Sequence, residues 1–337
     1  MNYIAELEEC LKTKIKASTL IKMVEYYAQY FDDHMDAGQK EEEICEELGT
    51  PQDLAASLID GISLKEVELF KCEEGVRMID ASLFDIRVHL VFSDEPGTCV
   101  TYQSKEGYDE QLLSVAYRSN HLRLLQKKPL LSKGKPYLLV ELPKTFKGKL
   151  VVKTIDSRII VDGNYIATKM NYTLSSKHGK IELNDVICKK IDVQSENGRI
   201  KVVRSNASQI SLENKDGEIA VSKCKSPYLM AKSLQGRIDI SRCYSEYAEF
   251  ENTEGRVYIE DCIIDDCHVQ SEHGRIFYGM DEINEGLHMD LLSRQGKVCI
   301  NGDKHQKNIQ IVKDIKSRKK EKRYLNLYAR SSTGRIE

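Results

Sequence analysis

The sequence predicts a small all-α N-terminal module over residues 1–61 and an all-β parallel solenoid with coils of roughly nineteen residues over 150–337. An irregular β region over 62–149 joins the two. Three observations carry this prediction. Glycines recur at 179, 198, 217, 236, 255 and 274, each nineteen residues after the last. Two residues after each stands Ile181, Ile200, Ile219, Ile238, Val257 or Ile276. The first sixty residues lack that repeat and space their apolar residues by three and four, which is the period of helices.

In the helical front, Tyr3, Leu7 and Leu11 fall on one face of a first helix. A second opens after Ser18, with Leu20, Val24, Tyr27, Phe31 and Met35 as its apolar stripe and Gly38 as its stop. Residues 41–48 read as a third helix, with Ile44 and Leu48 inward and Gly49 ending it. Thr50-Pro51 opens a fourth, as a hydroxyl cap followed by a proline whose missing N–H costs nothing at the first helical position. Leu54 and Leu58 line it, and Gly61 closes it. Helices this short are marginal alone, so packing must hold them together.

In the irregular region, residues 67–69, 86–90 and 138–142 read as strands, and 120–125 as another. Pro96-Gly97 and Lys105-Glu106-Gly107 mark turns. Such a region suits the start of a solenoid, whose terminal ladder edges need covering.

A fixed period near twenty without helix-length segments is the mark of a solenoid. In one coil Ile191 and Val193 alternate with polar residues, then Ile200 and Val202 do so after the Gly198 turn. Period-two alternation sends these side chains inward. The glycine is expected at positive φ in a tight corner. Ser157-Arg158-Ile159 reads as an earlier turn of the same kind. Gly296 and Gly334 continue the series at spacings of twenty-two and thirty-eight.

Three residues before the glycines stand Ser195, Asn214, Ser233, Asn252, Ser271, Ser293 and Ser331. A ladder of this kind caps turns and does not form a catalytic serine. Cys224, Cys243 and Cys262, also nineteen apart, read as a column of buried thiols rather than a metal site. His268 and His273 lack ligand spacing. No metal and no cofactor is expected.

Tyr26-Tyr27, Tyr30-Phe31-Asp32-Asp33, the run Glu41-Glu42-Glu43, and Glu47-Leu48-Gly49-Thr50-Pro51 leading into Leu54-Ala55 resemble the HAAS signalling domain. This bacterial helical module often stands beside membrane segments or adhesin-type domains. The resemblance implies an accessory role in signalling without enzymatic activity. From about residue 66 onward, Leu139-Val140-Glu141-Leu142-Pro143 and the Ser/Asn-x-x-Gly-x-Ile units resemble the bacterial adhesin-type domain. That resemblance implies a single-stranded right-handed β-helix with no catalytic residues. The family places an acid after the glycine, whereas this chain places a base at 180, 199, 237, 256, 275, 297 and 335 and an acid only at Glu218.

Charge is uneven along the 337 residues. Residues 1–60 hold fourteen acids against five lysines, a net of −9, and the whole chain carries −3, so the remainder carries +6. The acidic front is a poor nucleic-acid binder. No apolar run is long enough to span a membrane as a helix, and residues 1–16 lack the pattern of a signal peptide. Ten cysteines without a CxxC pair suit free thiols. Cytoplasmic residence, with a peripheral membrane position as a variant, is the expectation.

Lys180, Arg199, Arg237, Arg256, Arg275 and Lys297 should form an outward ladder along one edge. Such a row could bind an anionic polymer, a membrane surface or an acidic protein, or be balanced by Glu182, Asp239 and Glu260. Charge balance is the preferred reading. Residues 313–323 hold a second basic run, including Lys316, Arg318, Lys319 and Lys320, read as an exposed loop.

Enzyme motifs are missing from the sequence: no Walker loop, no Gly-x-Gly-x-x-Gly and no nucleophile elbow. A sugar-cleaving carboxylate pair would be sought among Asp239, Asp261, Asp265 and Asp266. Aromatic platforms are sparse, mainly Tyr244, Tyr247, Tyr258, Phe277 and Tyr278. The leading functional expectation is a non-catalytic regulatory or scaffolding protein. Its partner is expected to be a protein, such as a signalling or transcription regulator, met through Tyr27, Tyr30, Asp32 and Asp33. Cell-envelope adhesion or glycan binding is the alternative, and a carbohydrate-active enzyme the remote one.

Overall fold

The structure is a computed structural model and describes residues 3–12, 17–36, 39–62, 65–73, 75–130, 136–164, 166, 169–279, 286–293, 298–300, 303–305, 308–313, 324–331 and 336. Two compact units divide it, one built on Met1–Glu66 and the other on Val67–Gln103 and Tyr108–Glu337.

The first unit holds four helices: α1 (Tyr3–Leu11), α2 (Ala17–Asp36), α3 (Glu41–Leu48) and α4 (Pro51–Ile62). The spacing of apolar residues does what the sequence predicts. Tyr3, Phe31 and Ile44 bury one cluster, and Leu7, Leu11 and Ala55 another. The Tyr3 ring lies 5.2 Å from Phe31, and its hydroxyl donates to the Gly49 carbonyl at 2.9 Å. Gly49 takes φ +78° after α3, a conformation that L side chains rarely adopt. Thr50 caps α4 by accepting the Asp53 N–H at 3.1 Å. The helix runs through Gly61 to Ile62 instead of stopping at Gly61. Gly38, the expected stop of α2, lies outside the described residues.

The second unit is a parallel β-solenoid. Each regular coil contributes one strand to a 13-stranded sheet and a shorter one to an 11-stranded sheet. In successive coils the longer strands are Ile187–Ser195, Asn206–Asn214, Tyr228–Ser233, Tyr244–Asn252 and Ile263–Ser271. The shorter ones are Ile200–Val203, Ile219–Ser222, Arg237–Ser241, Arg256–Glu260 and Arg275–Gly279. Registers advance by nineteen, as in Ile191↔Ile210 and Ile200↔Ile219. The core lies between the sheets, where Ile191, Val193, Ile200 and Ile210 are wholly buried and Leu212 nearly so.

The repeat glycines are not at positive φ, which corrects the expectation of a left-handed corner there. Their need is close approach. A Cβ on Gly198, Gly217, Gly236, Gly255 or Gly274 would overlap the carbonyl oxygen of the glycine one coil earlier. The left-handed corner lies elsewhere in the coil. Asp185, Arg204, Lys223, Arg242 and Asp261, again nineteen apart, have φ between 47° and 55°. Each sits where the chain leaves a short strand for the next long one.

Both ends depart from chain order. Met78–Ser82 and Arg87–Ser93 pair in parallel with Lys149–Thr154 and Ile159–Asp162, so they form a coil of the solenoid. His121–Gln126 and Tyr137–Pro143 then stack outside that coil. Antiparallel Leu113–Arg118 and Thr98–Ser104 flank them in turn. At the other end Tyr324–Ser331 inserts between Ile263–Ser271 and Gly286–Ser293. Gly296, Gly334 and residues 314–323 lie outside the described residues.

The two kinds of corner predict opposite responses. Gly217→Val should lower stability by about 3 kcal/mol or more, because its neighbour is backbone and cannot yield. Lys223→Gly should change stability by no more than about 1 kcal/mol, on the stabilising side, since it relieves a left-handed residue. Denaturant melts of the two variants measure the contrast.

Candidate functional site

Backbone donors and acceptors at the glycine corner take up the polar ladder. The Gly198 N–H donates to Ser195 Oγ at 3.0 Å, Gly217 to Asn214 Oδ1 at 3.1 Å, Gly236 to Ser233 Oγ at 2.9 Å, and Gly274 to Ser271 Oγ at 2.9 Å. The two asparagines reach further. Asn214 and Asn252 each donate Nδ2 to the glycine carbonyl of the coil before, both at 2.6 Å. These side chains therefore serve the turn and the coil-to-coil contact.

Cys224, Cys243 and Cys262 form the expected buried column one residue past the left-handed corner. Their thiols lie against backbone carbonyls, at 3.2 Å for Cys224 on Ser222 and for Cys262 on Glu260. Hydrogen bonding with Cys224, with burial added, pushes Cys243 up to about 12. Burial pushes the separate Cys188 thiol up to about 12 as well. Such thiols stay protonated and unreactive.

Strand alternation turns one set of side chains onto the outer face of the 13-stranded sheet, which is recessed. A groove of about 720 Å³ runs along it over the capping ladder, between two columns of outward side chains. One column is Gln194, Glu213, Lys232, Glu251 and Gln270, and the other is Lys177, Glu196, Lys215, Leu234, Thr253 and Glu272. Acids, bases and amides alternate, so the groove is polar and nearly balanced in charge. Lys232 Nζ pairs with Glu251 at 2.9 Å, which holds that carboxyl below its ordinary range. Its hydrogen-bond partner Glu249 is raised in turn.

A second depression of about 350 Å³ shares Glu251 and Gln270 with the groove and adds rings. Tyr247 lies 5.4 Å from His268, and His268 stacks on Tyr328 at 4.7 Å with 12° between planes. His268 Nε2 is 3.2 Å from Asp266 Oδ1. The sequence repeat does not reveal Tyr328 as a neighbour of His268. The insertion of Tyr324–Ser331 beside Ile263–Ser271 brings them together across sixty residues.

The 11-stranded sheet carries the basic ladder outward. Glu182 is buried between Lys180 and Arg158, with Arg158 at 2.6 Å. Arg199 pairs with Glu218 at 3.1 Å, and Arg237 with Asp239 at 2.6 Å. Arg256 and Arg275 are exposed and adjacent in register, and no carboxylate among the described residues pairs with them. Lys297, Lys316, Arg318, Lys319 and Lys320 lie outside the described residues. So do the side chains of Asp32 and Asp33. Tyr27 and Tyr30 are half-buried on α2, where Tyr30 stacks on His34 at 3.9 Å. The freely exposed tyrosine there is Tyr26, at 64 %.

The four candidate catalytic aspartates do not converge. Asp239 stands on the 11-stranded sheet, Asp265 and Asp266 on the 13-stranded sheet, and Asp261 at the corner between them. No helix among the described residues is long and apolar enough to cross a membrane.

Residues 100–317 match the family described as Toastrack DUF4097, and residues 2–57 match the family described as HAAS. The first match spans well over half of the chain. This protein belongs to the Toastrack DUF4097 family. It pairs a parallel β-solenoid with an N-terminal HAAS-like helical module. Its solenoid is similar to a candidate adhesin from Bacteroides fragilis, with 19 % identity, TM-score 0.46, and coverage of 64 % of this chain and 95 % of that one. It is also similar to a candidate cell adhesion protein from Clostridium sporogenes, with 11 % identity, TM-score 0.23, and coverage of 81 % and 97 %. A candidate lipid binding protein from Parabacteroides distasonis matches with 12 % identity, TM-score 0.48, and coverage of 81 % and 96 %. No curated protein matches.

The expectation of cytoplasmic residence is withdrawn, because the free thiols on which it rested do not report a compartment. Burial and hydrogen bonding hold Cys188 and Cys243 protonated and slow to react, so their free state does not depend on one.

Acid should loosen the Toastrack solenoid through two carboxyls. Burial raises Glu182, but its ion pairs with Lys180 and Arg158 more than reverse this and hold it below the usual range. Burial likewise raises Asp162, and hydrogen bonds with His89 at 2.7 Å and Asn184 at 2.9 Å bring it below. A folded-state pKa below the unfolded one gives stability that is present above about pH 4 and lost as pH falls through the lowered value. Melts between pH 7 and pH 2.5 should show this loss. Glu182→Gln should cost roughly 2 kcal/mol at pH 7 and flatten the acid limb.

Proposed function

We propose that this Toastrack protein is an adhesion-type binding protein whose 13-stranded sheet holds an uncharged polysaccharide. The observation that carries the proposal is the outward ring stack Tyr247–His268–Tyr328 at the margin of the charge-balanced groove. Rings offer flat apolar surface to the C–H faces of sugars, while Gln194, Gln270, Glu213 and Lys232 offer donors and acceptors to hydroxyls. A groove along the coil axis suits a ligand that repeats. Its near balance of charge gives an ionic polymer no net attraction.

The regulatory-adaptor reading belongs to the helical module, and the match of residues 2–57 to the HAAS family supports it. On α2 the exposed Tyr26, edge-on to Tyr27 at 5.1 Å, is the side chain we assign to a protein contact there.

Binding of the full chain to soluble dextran, laminarin and hydroxyethyl cellulose tests the polysaccharide reading. At least one should bind, and Tyr247→Ala with Tyr328→Ala should weaken it tenfold or more, equivalent to about 1.4 kcal/mol. Binding to none of a wider neutral glycan panel, or equal binding by the folded double variant, would contradict it.

A further inference from the structure

The opposite sheet carries a different chemistry, and its basic ladder changes character partway along. Two residues after each ladder position, on the same outward face, the column reads Glu182, Lys201, Ala220, Asp239, Tyr258 and Phe277. In the coils of Lys180 and Arg237 that position is an acid, and the base is neutralised by it. In the coils of Arg256 and Arg275 it is an aromatic ring. Tyr258 and Phe277 stack face to face, 4.4 Å between centroids and 6° between planes. The Arg237 guanidinium lies over the Tyr258 ring at 5.7 Å. The acid is thus replaced by a ring in the coils whose arginines have no carboxylate partner among the described residues.

Neighbouring strands stand about 4.8 Å apart, so Arg256 and Arg275 hold like charges side by side. At that spacing their repulsion in water is on the order of 1 kcal/mol, and an anion bridging them would relieve it. Guanidinium also suits this task because it takes carboxylates in a two-pronged geometry. The ring pair beside the arginines offers a flat apolar surface to whatever carries those anions.

We propose that Arg256, Arg275, Tyr258 and Phe277 form a second binding site, for an acidic polysaccharide whose carboxylates meet the arginines while its sugar faces meet the rings. Charge complementarity and the paired rings together select this occupant. The site is independent of the neutral-polymer groove on the other sheet, and either can fail without the other.

Polygalacturonate is the probe, bound to the full chain at low salt. Binding should weaken steeply as salt rises. Arg256→Gln with Arg275→Gln should reduce it tenfold or more, and Tyr258→Ala should reduce it severalfold. Arg256→Lys with Arg275→Lys should retain more of it than the glutamine pair. Tyr247→Ala with Tyr328→Ala should leave it unchanged. Both arginines are exposed, so folding should survive the changes, and the salt titration on the unaltered chain tests the proposal without any variant. Salt-insensitive binding or none, full binding by the glutamine pair, or tighter binding of poly(dT) would overturn the proposal. The last result would give the face to single-stranded nucleic acid.

Discussion

Successive coils of this protein approach closely at one corner, where each repeat glycine lies against the carbonyl oxygen of the glycine nineteen residues earlier. There is no room for a Cβ at that contact, and the remainder of the coil is built around it. The glycine N–H is held by a serine or asparagine three residues before it, which fixes the turn. The asparagines also hold the carbonyl of the coil before. Once the corner is fixed, strand alternation decides which side chains enter the core and which face outward. The outward surfaces are therefore columns, one side chain per coil, and their chemistry is written along the repeat.

Two outward faces result, and they differ in charge. On the 13-stranded sheet, acids and bases share the groove, and the Tyr247, His268 and Tyr328 rings stand near its far end. On the 11-stranded sheet, bases dominate one column. Lys180 and Arg237 pair with acids of the neighbouring column and Arg199 with Glu218 of its own, whereas Tyr258 and Phe277 stand beside Arg256 and Arg275. A rigid scaffold suits this division of labour, because side chains on paired strands keep their spacing whether or not a ligand is present.

Much of this was legible in the sequence. The nineteen-residue phase gave the coils, the inward alternation and the columns of cysteine and serine. The helical front followed from three- and four-residue spacing, down to the bounds of α3. The physical reason for the glycines was not legible. A glycine at a turn reads the same whether it serves left-handed φ or close approach, and here the left-handed φ falls on Asp185, Arg204, Lys223, Arg242 and Asp261. Arginine and lysine give no warning of such a conformation. The order of strands at the two ends was hidden as well, since a repeat predicts neighbours in chain order. Tyr328 reaches His268 only because the last strand inserts, and one of the three rings of the stack went unseen for that reason. The pairing of Arg158 with Glu182 crosses from an irregular coil to a regular one and was equally out of view.

Two faces of one solenoid that take two different ligands should each be shielded by their own ligand. Hydroxyl-radical footprinting of the full chain tests this directly, because it reports side-chain protection with each polymer in turn. A bound neutral polysaccharide should shield Tyr247, His268 and Tyr328, and polygalacturonate should shield Tyr258 and Phe277, with little crossover. Protection of the same rings by both polymers would contradict this.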